Sequence, residues 1–170
     1  MGSLPSSRVT PSRPFAHCGV DYADPITLRE ENRRNARNSK VYIAIFMCFT
    51  TKATHIEVVS NLTTESFLGA FKRFISQRGK PIQMYSDNRT TFVGAQRQLK
   101  ELYEFYRDQE TQRDLSQYFS SQGITWNFIP PNAPHFGGLW EAVVKSAKFY
   151  MSRIVGQAHL TFEESQTVLA

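Results

Sequence analysis

The sequence predicts an α/β domain, a five-stranded mixed sheet flanked by helices, and three observations carry that expectation. Two β-rich runs, Val41 to Phe49 and Thr54 to Val59, are joined by a short turn and form an antiparallel hairpin. Phe67, Leu68, Phe71, Phe74 and Ile75 then fall on one face of a helix. Beyond that helix, short apolar runs at Ile82 to Ser86 and Ile124 to Ile129 alternate with helical patterns, the mark of a layered α/β chain.

In order, residues 1–14 read as an extended linker, rich in Pro, Ser and Arg. Phe15 to Ile26 is an apolar first strand, and Thr27 to Lys40 is a polar, mixed-charge run, read as a solvated loop ahead of a nucleic-acid patch. Thr50-Thr51-Lys52-Ala53 turns the hairpin. Asn61-Leu62-Thr63-Thr64-Glu65 opens the Phe-striped helix with a hydroxyl cap and an acid in its first turn, and Gly79 with Pro81 stops it. The stripe is core packing. Ile82 to Ser86 is a buried strand with Asp87 at its C-terminal end, where open α/β sheets build their sites. Ala95 to Tyr106 and Arg113 to Phe119 read as one interrupted helix or two short ones, joined by the charged stretch Arg107 to Gln112. Gly123 precedes the fifth strand, and a Pro- and Gly-rich loop at 130–138 leads into a helix marked by Leu139, Val143, Val144, Ala147, Met151 and Ile154. A last helix starts near Thr161. The order is β-β-β-α-β-α(α)-β-α-α, with no repeat and no second domain.

The 170 residues suffice for one domain with a core, and 41% apolar with 13% aromatic residues excludes a disordered or fibrous chain. The longest apolar run, Val41 to Phe49, is too short to cross a bilayer, so no membrane partner is expected. Cys18 and Cys48 are two few for a disulfide framework or a zinc cage and read as buried free thiols in a reducing compartment. Net charge +5 and an isoelectric point near 9.4 lean weakly toward a polyanionic partner.

Three acids stand out. Asp21 and Asp87 are each attached to a β-forming, mostly apolar run, a costly place for an unpaired carboxylate, and Glu141 lies in the first turns of a helix. Asp21 and Asp87 sit side by side if the first and fourth strands pair. Convergent carboxylates suit a hard divalent cation, and two such ions serve in-line phosphoryl displacement. Against this, any three acids in a chain of this length can be surface charges. Lys145 and Lys148 follow Glu141 along one helix flank, where they suit either a phosphate backbone or an ordinary i,i+4 ion pair.

Ser86-Asp87-Asn88-Arg89-Thr90-Thr91-Phe92-Val93-Gly94-Ala95 and Pro134-His135-Phe136-Gly137-Gly138-Leu139-Trp140-Glu141 resemble the integrase core of retroelements. Val41-Tyr42-Ile43-Ala44-Ile45-Phe46, Thr51-Lys52-Ala53-Thr54-His55-Ile56-Glu57 and Leu62-Thr63-Thr64-Glu65 narrow the resemblance to the Pao/BEL class of LTR retrotransposons. It runs from Phe15 to the last residue, so the domain reading is a catalytic core at 15–170, cut short at its C-terminal end. The resemblance implies an RNase H-like fold and a polynucleotidyl transferase whose catalytic and metal-binding residues are Asp21, Asp87 and Glu141. It implies two Mg²⁺ or Mn²⁺ ions and double-stranded DNA, both element ends and target, as substrate. Lys145, Lys148, Asn88 and His135 match DNA-contacting positions. Self-association as a homodimer or larger oligomer, and action in the nucleus, are implied in the same way.

The sequence departs from that pattern at three places. Arg89 stands where the family usually has Gly, Thr91 where it has Asn, and Asp24 where it has Gly. The alternative function is therefore a decayed or domesticated integrase-fold module that binds DNA or protein. An RNase H-type nuclease shares the fold but needs a fourth acid and a differently placed Glu.

Overall fold

The computed structural model describes residues 11–33, 35–87, 104–105, 108–129, 142–143, 145–147, 149–150, 153 and 160–169. Its elements are β1 (His17–Arg29), β2 (Asn38–Cys48), β3 (Thr54–Val59), α1 (Thr64–Arg78), β4 (Gln83–Asp87), α2 (Gln109–Ser121), β5 (Thr125–Ile129) and α3 (Phe162–Leu169). The described residues between 142 and 153 are helical as well.

One five-stranded sheet, ordered β3-β2-β1-β4-β5, holds all the strands. Its first half is an antiparallel meander, β1 on β2 and β2 on β3. Its second half is parallel, β1 on β4 and β4 on β5. The central strand β1 belongs to both halves, so the sheet is mixed, as expected from the sequence.

Alternation along the strands splits the core in two. Cys18, Val20 and Tyr22 of β1, Ala44, Phe46 and Cys48 of β2, and Met84 of β4 pack against Phe67, Phe71 and Phe74 of α1. The helical stripe is thus core packing, with the Phe46 and Phe74 rings stacked at 4.3 Å and 4°. On the opposite face Ala23, Ile43, Ile45 and Val58 meet Ala147 and Val143 of the 142–153 helical residues. Burial of both faces explains why β2 reads as one apolar run instead of alternating.

Two sequence-level boundaries need correction. The polar run from Thr27 to Lys40 is not all loop: β1 continues to Arg29 and β2 begins at Asn38. The outer rungs Thr27↔Lys40, Leu28↔Ser39 and Arg29↔Asn38 are held by backbone pairing, which polar side chains do not oppose at a sheet end. The register slips between Ala23 and Ile26, around Pro25, which has no N–H for the ladder. The charged stretch before Arg113 is also not a linker throughout. Asp108 caps α2 by accepting from the Thr111 N–H at 2.7 Å, so the helix starts at Gln109.

The start and stop signals of α1 act as read. Thr63 caps α1 through the Ser66 N–H. Gly79 ends it at φ 84°, a conformation that side-chain-bearing residues avoid, and donates its N–H to Ile75.

A polar network at β3 carries a role the sequence pattern does not announce. His55 and Glu57 are both buried and lie on the α1 side of the strand. Glu57 accepts from His55 Nε2 at 3.0 Å and from Arg73 Nε at 2.6 Å, and Arg73 also donates to the Val58 carbonyl. Arg78 Nε donates to His55 Nδ1 at 3.4 Å, which leaves the imidazole proton on Nε2, facing Glu57. Two residues of β3 are thereby tied to two arginines of α1.

Candidate functional site

The site is set by the β1–β4 ladder. Both strands run the same way, and their last recorded rung is Val20↔Ser86. Asp21 and Asp87 are the next residues of each strand, so the conditional reading from sequence is met: the two strands pair, and the two acids occupy the same row. Val20 and Ser86 face the α1 layer, and alternation gives positions 21 and 87 to the opposite sheet face.

Strand ends gather here. β4 stops at Asp87, and Ile129, the last residue of β5, stands opposite it. Because β3 connects through α1 to β4 on the far side of β1, the β1/β4 boundary is where the chain switches sides of the sheet. Crevices at such a point, beyond the carboxyl ends of strands, are where open α/β sheets bind ligands.

Asp21 is half-buried. Its Oδ1 accepts the Tyr22 N–H at 2.8 Å, which fixes the carboxylate against its own strand. Its antiparallel neighbour on β2 is Ile45, an apolar floor beneath the site. The 142–153 helical residues lie over this face, where Val143 and Ala147 meet the Ile43 and Ile45 cluster. Lys145, on the same helical segment, is exposed to solvent.

Other predicted site residues lie outside the described residues: Asn88, His135, Glu141 and Lys148, and with them Arg89 and Thr91. For Asp87 the description extends to its backbone place in β4. Among the described residues no group of three or more His, Cys, Asp or Glu is placed to hold a metal ion. Of the three acids, the described structure brings together two positions, 21 and 87.

An apolar hollow of about 420 Å³ lies between β3, the 142–153 helical residues and α3, lined by Ile56, Val143, Ala147, Tyr150, Val168 and Leu169 among others. It carries no titratable cluster and is separate from the carboxylate row. No described helix is long and apolar enough to cross a membrane.

No family model and no curated protein matches the chain. Solved structures do. A chain of the simian T-cell lymphotropic virus intasome, in complex with PP2A regulatory subunit B56 gamma, superposes with a TM-score of 0.62 at 14% identity, over 92% of this chain and 47% of that one. This chain thus spans about half the length of that relative. The HTLV-2 integrase catalytic core in complex with magnesium, in its trimeric form, gives 0.58 at 15% identity over 92% of this chain and 83% of that one. The BIV integrase catalytic core gives 0.55 at 17% over 91% and 80%. A five-stranded mixed sheet in this order, flanked by helices and superposing on these proteins over nine-tenths of its length, makes the fold of this chain the RNase H-like fold of retroviral integrase catalytic cores.

Proposed function

We propose that this chain is the catalytic core of a DNA-integrating polynucleotidyl transferase, of the Pao/BEL class of LTR retrotransposons. The observation that carries the reading is the pairing of β1 with β4, which sets Asp21 and Asp87 in one row at the end of β4. Glu141, next to Ala142 in sequence, is the third acid of the proposed set.

An all-carboxylate donor set is hard oxygen chemistry and fits Mg²⁺ or Mn²⁺, the type of ion with which the HTLV-2 core was solved. Asp21, Asp87 and Glu141 would hold two ions, which when bound activate the attacking oxygen and neutralise charge on the leaving one. The chain's own part is positioning. Asp21, pinned by the Tyr22 N–H over a floor of Ile43 and Ile45, offers its carboxylate without a rotamer search. Lys145 and Lys148 would contact the phosphate backbone of the element's end, and Asn88 and His135 are the further DNA-contacting residues of the proposed set. Two reactions follow at this one place: water removes the terminal nucleotides at the element's 3′ end, then that 3′-hydroxyl attacks a target phosphodiester. Neither passes through a covalent enzyme intermediate. The substrate of this reading is double-stranded DNA, and because the contacts fall on phosphates little sequence reading is needed. Self-association as a dimer or larger oligomer, and action in the nucleus, belong to the same reading.

The test is end-processing and strand transfer on a DNA duplex carrying the element's terminal sequence, with Mn²⁺ or Mg²⁺. Activity present in the native chain and lost in Asp21→Asn and in Glu141→Gln supports the proposal. Activity that survives either change removes it. A folded native chain that binds DNA but neither cleaves nor binds Mn²⁺ favours the decayed-module reading, with Arg89→Gly as the variant to restore metal binding.

A further inference from the structure

Cys18 and Cys48, 30 residues apart, face each other across the β1–β2 ladder. Neighbouring hydrogen bonds define the kind of rung they share. The Phe49 N–H donates to the His17 carbonyl across β1 and β2, whereas the Cys48 N–H turns the other way, to Ala53. In an antiparallel ladder the hydrogen-bonded and non-hydrogen-bonded rungs alternate, so Cys18 and Cys48 form a non-hydrogen-bonded pair. That rung brings Cα atoms to about 4.5 Å and their side chains close together, inside the Cα range a disulfide spans, roughly 4.4–6.8 Å. Both side chains point to the α1 face and both thiols are free.

The two sulfurs also hold one residue between them. The Phe15 N–H donates to Cys48 Sγ at 3.2 Å, and the Cys18 thiol donates to the Phe15 carbonyl at 3.1 Å. Phe15 sits at φ 60°, a left-handed conformation that costs a non-glycine residue free energy unless its surroundings hold it there. Its ring packs edge-on to Phe74 at 5.6 Å. Cys48 further accepts the Thr51 N–H at 3.4 Å. Both cysteines are fully buried, while Thr51, whose N–H reaches Cys48 Sγ, and Pro14, next to Phe15, are exposed.

We infer that Cys18 and Cys48 are an oxidisable dithiol, closed by a hydroperoxide into an intrachain disulfide, and that its redox state sets how firmly residues 11–16 are anchored. The two thiols differ in acidity. Burial opposes ionisation of Cys48, but the donors of Thr51, Phe15 and Thr50 outweigh it and hold that thiol below its ordinary range. Burial first, and the neighbouring Cys48 second, push Cys18 up. Cys48 is therefore the nucleophile. Its thiolate attacks one peroxide oxygen, giving Cys48 sulfenic acid and hydroxide, which takes up the proton Cys48 released and becomes water. Cys18 sulfur then attacks the sulfenic sulfur; the S–O bond breaks, and the hydroxyl leaves with the Cys18 proton as a second water. Two thiols and one hydrogen peroxide become one disulfide and two waters. Closure removes the Cys18 S–H donor to Phe15 and weakens Cys48 as an acceptor, so the strained Phe15 loses one sulfur contact and keeps the other only weakly.

The experiment treats the folded full chain with hydrogen peroxide, digests it with trypsin without reductant and maps the peptides by mass spectrometry. The expected product is the peptide Val9–Arg29 joined to Val41–Lys52 within one chain, released by dithiothreitol. Amide exchange at Phe15 is expected to quicken about fivefold to tenfold in the oxidised protein, the shift one lost hydrogen bond carries. In Cys18→Ser, dimedone should label Cys48 instead. Thiols that stay reduced in the folded chain at a peroxide dose that oxidises them in urea overturn the inference, as do crosslinks between chains only, or Cys48 sulfinic acid with no crosslink. A crosslink with unchanged Phe15 exchange overturns the anchoring role.

Discussion

Replacing Glu57 with Gln keeps the shape of the buried network at β3 and reverses one of its contacts. In the native chain His55 Nδ1 accepts from Arg78, so Nε2 carries the proton that Glu57 accepts. A glutamine there can keep its oxygen toward Arg73 Nε, which sits 2.6 Å away, but then turns its amide N–H₂ toward the His55 N–H. Two donors face each other in a site where both residues are 6% exposed or less. Leaving a buried donor unpaired costs about 1–3 kcal/mol. Arg73 is 41% exposed and recovers much of its lost charge partner from water, so it adds little. Glu57→Gln should therefore cost about 2–3 kcal/mol, a fall in Tm of roughly 5–10 °C for a domain of this size. Burial alone would raise the Glu57 pKa, but hydrogen bonds and charge from His55 and Arg73 win and hold it below the ordinary 4.5. With a depressed folded value, the unfolded chain takes up the proton first, so this stabilisation is present above pH about 4.5 and is lost as pH falls through the folded pKa. The gap between native and variant should then narrow in acid. Thermal unfolding by circular dichroism at neutral pH and at successively lower pH is the assay. A Tm within about 1 °C of native at neutral pH, or a gap that does not narrow in acid, refutes the network's role.

Other perturbations probe other layers. Phe46→Ala deletes the ring stacked on Phe74 at the centre of the α1 face and should cost about 3–5 kcal/mol in urea unfolding; a loss under about 1.5 kcal/mol would mean the core collapses around the gap. Gly79→Ala forces a methyl-bearing residue into φ 84°, with its Cβ 3.2 Å from the Arg13 guanidinium, and should lower stability by about 1–3 kcal/mol; an unchanged Tm would show that α1 can end another way. Lys145→Ala should weaken duplex binding about equally for all sequences and reduce the salt slope by about one, measured by fluorescence anisotropy at several salt concentrations. An unaltered slope would remove Lys145 from the phosphate contacts.

What the sequence made legible follows from locality. The β2–β3 hairpin was readable because its turn is short and its strands are β-branched and apolar. Helix α1 was readable because Thr63, the Phe stripe and Gly79 act within a few residues of one another. The ends of β1 and β2 were not: Thr27, Arg29, Asn38 and Lys40 look like loop residues, and only the partner strand's backbone makes them rungs. Asp108 was hidden in a charge run because capping depends on where its side chain turns. At the site, the sequence nominated Asp21 and Asp87 together, on the condition that the first and fourth strands pair. Their common row depends on the β1–β4 register, which joins distant parts of the chain and leaves no mark in a single sequence.

That same ladder has a consequence for how the molecule comes into being. The β1–β2–β3 meander closes across nearby turns, as soon as residues through Val59 are available. β4 must instead find β1 after α1 has intervened, and β5 must find β4 after α2. Contacts between distant segments are the slow ones, because loop closure comes before any reward. A folding chain therefore carries Asp21 on a finished meander well before Asp87 arrives beside it. The row of Asp21 and Asp87 is the late-assembled part of the sheet, and a chain stalled before β4 docks has the meander without that row.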